Sequence, residues 1–263
     1  MSIHGLGVVL YSFGQPVKDA LRTAAKLELR QVELPATTQE VDPQQLGRSG
    51  RRHLMHYVSD LGLNLTALGG DLGGARFTDS SALDQRLEKT RRIIEMAAEL
   101  RVPVVTTHLG RVDKETLGRG YLLEAVRYLA EISDRTGTFV AVETGSGDPQ
   151  TLAELLRQVN SSTLGAAYDP ASLLVEGYDP LSGIDPLADR IFIARVRDAI
   201  AGSERRPGRE VNIGDGQVDL AEYLASLDQA GYNRAALIRR TSSDRPIQDI
   251  AEARERLRRL VGK

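Results

Sequence analysis

The sequence predicts a single (β/α)8 barrel, one α/β domain running through residues 1–263. Three observations carry that prediction. Eight short apolar runs alternate with helical patterns, which is the order of a parallel sheet with helices on its outside. The length of 263 residues matches the ~250 that such a barrel needs. No composition shift or linker divides the chain. An open doubly wound sheet is the alternative, but no Gly-rich dinucleotide fingerprint follows any of the strands.

Leu6 to Leu10 reads as the first strand, closed by Ser12-Phe13-Gly14, and Pro16 opens a helical pattern to about Glu28. Gln31 to Pro35 is the second strand, followed by a helix from about Pro43 to Leu61 with Gly62 as its stop. Leu63 to Leu68 is the third. The Gly-rich stretch Gly69 to Gly74 is a flexible rim loop, and Ser81 to Leu100 is a long helix with Glu88, Arg91, Arg92 and Glu95 outward. Val102 to His108 is the fourth strand, and Arg119 to Thr136 the helix after it. Phe139 to Glu143 is the fifth, with a helix from about Pro149 to Val159. Leu164 to Asp169 is the sixth. Ile191 to Asp198 is the seventh, starting apolar and ending charged, and a long polar loop leads to a helix from about Asp219 to Ala230. Ala235 to Arg239 is the eighth, and Pro246 to Leu260 is a closing helix rich in Arg and Glu.

Composition narrows the function classes. Hydrophobic residues make up 41% and charged residues 27%, as in a globular protein with a sizeable core. With 34 basic and 36 acidic residues the formal net charge is −2, so no overall basic field favours nucleic acid. Cysteine is absent. That excludes disulfides, thiolate metal sites and cysteine nucleophiles, and it fits a cytoplasmic protein. The residues after Met1 do not read as a secretion signal, and no run reaches ~18 apolar residues, so no membrane span is expected.

The active site of such a barrel lies at the C-terminal ends of its strands. Those ends carry His108, Glu143, Asp169, Arg195 and Arg239. Glu143 closes the apolar run Phe139-Val140-Ala141-Val142 and opens into Thr144-Gly145-Ser146-Gly147. A carboxylate there must be solvated, paired or metal-bound. Alternation puts Ala141 and Phe139 on the face of Glu143, and Ala167 and Gly165 on that of Asp169, which leaves room beneath the acids for a ligand. His53 and His56, one helical turn apart among arginines, read as solvated helix-surface residues.

The chain resembles the xylose-isomerase-like barrels, a superfamily of sugar phosphate isomerases and epimerases that also contains zinc endonucleases acting at abasic sites. The resemblance spans nearly the whole chain and rests on Val142-Glu143-Thr144-Gly145, Tyr168-Asp169-Pro170, Arg197-Asp198-Ala199, Gly214-Asp215-Gly216-Gln217-Val218-Asp219 and Leu227 through Gly231-Tyr232. It implies a divalent metal held by Glu, Asp, His and Glu from the ends of the fifth to eighth strands. Glu143 and Asp169 match the first two, and His108 matches a family histidine on the fourth strand. The expected histidine falls on Arg195, the final glutamate on Arg239 or its neighbour Ile238, and a further histidine on Ser172. Arginine cannot ligate a cation. No metal-ligand set is therefore expected: no tightly bound cofactor, with Mg²⁺ or Mn²⁺ held only weakly through water and substrate oxygens.

Two functions follow. The resemblance implies a sugar phosphate isomerase or epimerase acting on a small sugar, polyol or sugar acid. Its catalytic candidates are Glu143 as general base, His108 as proton carrier, Asp169, and Arg239 stabilising oxygen charge. The alternative is a metal-free barrel that binds an anionic small molecule without turnover, through Arg195, Arg197, Arg239 and Arg240. Abasic-site nuclease chemistry lacks its histidines.

Overall fold

The computed structural model describes residues 4–74 and 76–261. In chain order the elements are β1 (Leu6–Val9), α1 (Val17–Lys26), β2 (Gln31–Pro35), α2 (Arg48–Asp60), β3 (Asn64–Gly69), α3 (Leu83–Leu100), β4 (Val104–Thr107), α4 (Lys114–Leu117), α5 (Gly120–Thr136), β5 (Phe139–Glu143), α6 (Pro149–Val159), β6 (Leu164–Tyr168), α7 (Pro170–Val175), α8 (Ile184–Leu187), β7 (Ile191–Val196), β8 (Asp198–Ile200), β9 (Arg209–Val211), α9 (Leu220–Gln229), β10 (Ala236–Ile238) and α10 (Pro246–Val261). The parallel strands close as β1-β10-β7-β6-β5-β4-β3-β2, a single (β/α)8 TIM barrel whose eighth barrel strand is β10.

Two apolar layers hold it. Helices bury one stripe against the outside of the barrel; in α1 that stripe is Val17, Ala20, Leu21 and Ala24, the i, i+3, i+4, i+7 spacing of one helix face. Inside the barrel, Val9, Ala67, Val104, Ala141, Ala167, Ile193 and Leu237 pack together, with Phe139 and Phe192 edge to face at 4.8 Å between ring centroids. Phe139, Ala141 and Glu143 thus share the inward face of β5, as alternation requires.

Several boundaries differ from the sequence reading. The helix expected from Pro43 starts at Arg48. Asp42 accepts from the Gln44 N–H and closes a separate turn, and Gly47 then takes an extended conformation that begins a new helix. Pro103 stands outside β4 because it has no N–H to give. The sixth strand stops at Tyr168, and Asp169 caps α7, which the sequence reading did not contain. The polar loop after the seventh strand holds an antiparallel pair, β8 with β9, in the register Asp198 to Val211. Asp198 anchors it. Its carboxylate accepts N–H bonds from Ala199, Gly214, Gly216 and Val218 at 2.8 to 3.1 Å, which explains the Gly214-Asp215-Gly216 stretch. A Cβ on Gly216 would lie 2.1 Å from Asp198 Oδ1.

Candidate active site

Where β5 ends, Glu143 meets two guanidinium groups. Arg195 Nη2 lies 3.2 Å from its Oε1 and Arg239 Nη1 2.8 Å from its Oε2. Arg195 reaches up from β7 and also grips Glu33 of β2 with both terminal nitrogens, at 2.5 and 2.9 Å. Arg195 is fully buried and Glu33 only 2% exposed. The space that the small residues Ala141 and Ala167 leave open is therefore occupied by an ion pair, and the expected ligand space beneath the acids is corrected accordingly.

Asp169 is equally committed. Its Oδ1 accepts from the Ser172 N–H as the cap of α7, with Pro170 at the first helical position, and its Oδ2 lies 2.7 Å from Arg197 Nη1 and 3.7 Å from Arg239 Nη1. Arg197 continues to Ser172 at 2.8 Å, Glu210 at 3.0 Å and Thr241 at 3.2 Å. Arg240 holds Asp249, Asn212 and Glu210. The result is one network of four arginines and five carboxylates, and each carboxylate touches at least one guanidinium.

The charges follow from these contacts. Burial alone would raise the Glu143 carboxyl, but Arg239 and Arg195 outweigh it and hold the group at about 2. For Asp169 burial is likewise outweighed, by Arg197 and then Arg239, and its pKa is lowered. His108, half-buried, is pushed down first by burial and then by Arg76. Its Nδ1 accepts from the Gly110 N–H at 3.0 Å. Neutral His108 must then carry its proton on Nε2 and donate to Ser146 Oγ, 2.8 Å away. A Ser-His nucleophile needs the reverse arrangement, with Nε2 free to take the serine proton, so this pair does not activate Ser146.

These groups border a cavity of about 810 Å³ at the C-terminal face. His108, Glu143, Arg197, Arg239 and Arg240 line it, whereas Asp169 and Arg195 lie beneath and do not reach it. Direct ligand contact by Arg195 or Asp169 would require them to abandon buried partners. Among the described residues, the lining arginines Arg76, Arg197, Arg209, Arg239, Arg240 and Arg245 are matched by Asp71, Glu143, Glu176, Glu210, Asp244 and Asp249, six against six. The lining has no excess positive charge for the anionic ligand expected from sequence.

The sequence reading missed Glu33, Glu210 and Asp249. Glu33 had a signal, an acid between Val32 and Leu34 in an apolar strand. The other two lie in segments that read as loop and helix surface. Glu143 and Asp169 already serve three arginines, and no group of three or more His, Asp or Glu able to hold an ion exists among the described residues. The residues present do not fit the family metal. Nor is any described helix long and apolar enough to cross a membrane.

Solved structures share this architecture. A xylose isomerase domain protein from Planctomyces limnophilus superposes with a TM-score of 0.82 at 21% identity, covering 97% of this chain and 95% of its own. The IOLI protein, solved with a zinc atom, gives 0.77 at 17% identity over 97% of both chains. A D-tagatose 3-epimerase-like protein gives 0.76 at 17% identity over 98% of both. At these identities the likeness is one of fold. No curated protein matched the chain. A family model described as xylose isomerase-like TIM barrel matches residues 21–260, and the chain belongs to that family.

Proposed function

We propose that this chain binds a small polyhydroxylated carbonyl compound of the sugar class in the rim cavity, without a tightly held metal and without the proton abstraction that the family metal supports. One observation carries the reading: Arg239 Nη1 stands 2.8 Å from Glu143 and 3.7 Å from Asp169, a fixed cation serving the two carboxylates that match metal ligands. Glu143, held at about 2, is a poor general base, since an effective base has a pKa near the working pH. Mg²⁺ or Mn²⁺ binds only weakly in this reading, through water and ligand oxygens. The cysteine-free composition supports a cytoplasmic setting.

The isomerase or epimerase reading is favoured by Glu143, His108 and Arg239 opening onto one cavity, and by the epimerase-like neighbour. There Glu143 is the base and Arg239 stabilises the developing oxygen charge. Incubation of a panel of ketoses, aldoses and sugar acids in D₂O, with and without Mn²⁺, separates the two. Calorimetric binding of a panel member without deuterium incorporation is the expected result. Deuterium incorporation that Glu143→Gln abolishes establishes the isomerase-type reaction instead.

A further inference from the structure

The sugar-class reading leaves open which sugars the cavity accepts, and the hydrogen-bond inventory at its floor narrows them. Both terminal nitrogens of Arg195 are bonded to Glu33 and Glu143, and both of Arg197 to Asp169, Ser172, Glu210 and Thr241. The remaining Nε of each is buried. All three nitrogens of Arg240 are bonded. Arg239 differs: Nη1 is spent on Glu143 and its Nε is buried, while Nη2 has neither a partner nor full burial. Among the described residues it is the one nitrogen of these four guanidinium groups open to a ligand.

A second donor comes from Ser146. Because His108 Nδ1 accepts the Gly110 N–H, His108 donates from Nε2 to Ser146 Oγ, and the serine's own proton stays free. Ser146 and Arg239 border the same cavity. Glu143 spends one lone pair on each oxygen and keeps others for a ligand hydroxyl.

Resting on the sugar-class reading, we infer that the cavity selects free, uncharged sugars over their phosphate esters, receiving the carbonyl oxygen between Arg239 Nη2 and the Ser146 hydroxyl. A phosphate dianion needs several free donors and compensating charge. Here the central donors other than Arg239 Nη2 are spent, and at the mouth the exposed Arg209 and Arg245 are matched in charge number by the exposed Glu176 and Asp244, which leaves no net positive charge there. His108 acts as a positioning residue, since its tautomer sets the direction in which Ser146 donates.

The test is calorimetric binding of four- to six-carbon ketoses and aldoses, each beside its terminal phosphate ester, with inorganic phosphate as a third arm. At least one free sugar should bind, its phosphate at least tenfold more weakly, and inorganic phosphate should not compete. Ser146→Ala should weaken that sugar at least tenfold, and Ser146→Thr should restore it. Equal or tighter binding of the phosphate overturns the selectivity while leaving the sugar-class reading intact. Unchanged affinity in Ser146→Ala overturns the donor assignment. Binding of no sugar in either form overturns the sugar-class reading and this inference together.

Discussion

Replacing Arg195 with Met removes a guanidinium that is fully buried and bonded to Glu33 at 2.5 and 2.9 Å and to Glu143 at 3.2 Å. Glu143 keeps Arg239, whereas the carboxylate of Glu33, 2% exposed, keeps among the described residues only the Thr106 hydroxyl at 3.2 Å. Stranding one buried charge costs ~3–5 kcal/mol, while exchanging a whole buried pair for apolar residues of similar size is often close to neutral. Arg195→Met should therefore lose ~3–5 kcal/mol in urea denaturation, and Arg195→Met with Glu33→Met should recover ~2 kcal/mol or more of that loss. Both variants should retain the helical circular dichroism of the parent, so that the free energies compare the same fold. A single variant costing under ~1 kcal/mol, or a double variant as unstable as the two single losses added, would refute the claim that a buried ion pair fills the barrel beneath Glu143.

The Glu143 carboxyl titrates at about 2 in the folded chain against an ordinary 4.5. Its contribution is fully present above pH 4.5 and is lost as pH falls through about 2, a difference of ~3 kcal/mol. Unfolding free energy measured across that window should fall with acid in the parent, and Glu143→Gln should flatten the slope; an unchanged slope contradicts the pairing. His108, lowered by burial first and Arg76 second, should gain its second proton at a lower pH than a free imidazole, and its neutral form should carry the proton on Nε2. Long-range ¹H–¹⁵N correlation spectra read that tautomer directly, and a protonated Nδ1 contradicts it. Asp198→Ala leaves four N–H groups without their charged acceptor and should cost ~3 kcal/mol or more. Gly216→Ala should destabilise as well, because its Cβ would lie 2.1 Å from Asp198 Oδ1; thermal melts check both, and wild-type stability in either refutes the anchor.

The barrel was legible because its strands are short apolar runs and its helices repeat at i, i+3, i+4. The β8 and β9 pair was not, since Asp198-Ala199-Ile200 and Arg209-Glu210-Val211 are too short to show alternation. The polar residues at the strand ends were also legible, but their pairing was not. Arg195 meets Glu33 across 162 residues, a contact that exists only once the barrel closes. Asp169 carried two signals at once. As a strand-end acid it matched a metal ligand, while Asp169-Pro170-Ala171-Ser172 is also a helix N-terminus with its cap and first-position proline. The fold uses the second, and that removes Asp169 from the cavity.

The central claim is that guanidinium groups hold the place where the resemblance puts a metal. Elemental analysis of the purified protein after exhaustive dialysis tests it directly, beside the Arg195→His, Arg239→Glu variant, which restores two expected ligands. The account predicts metal far below one equivalent in the parent and a rise in affinity for Mn²⁺ or Zn²⁺ in the variant. Near-stoichiometric metal in the parent, lost on Glu143→Ala, would contradict it.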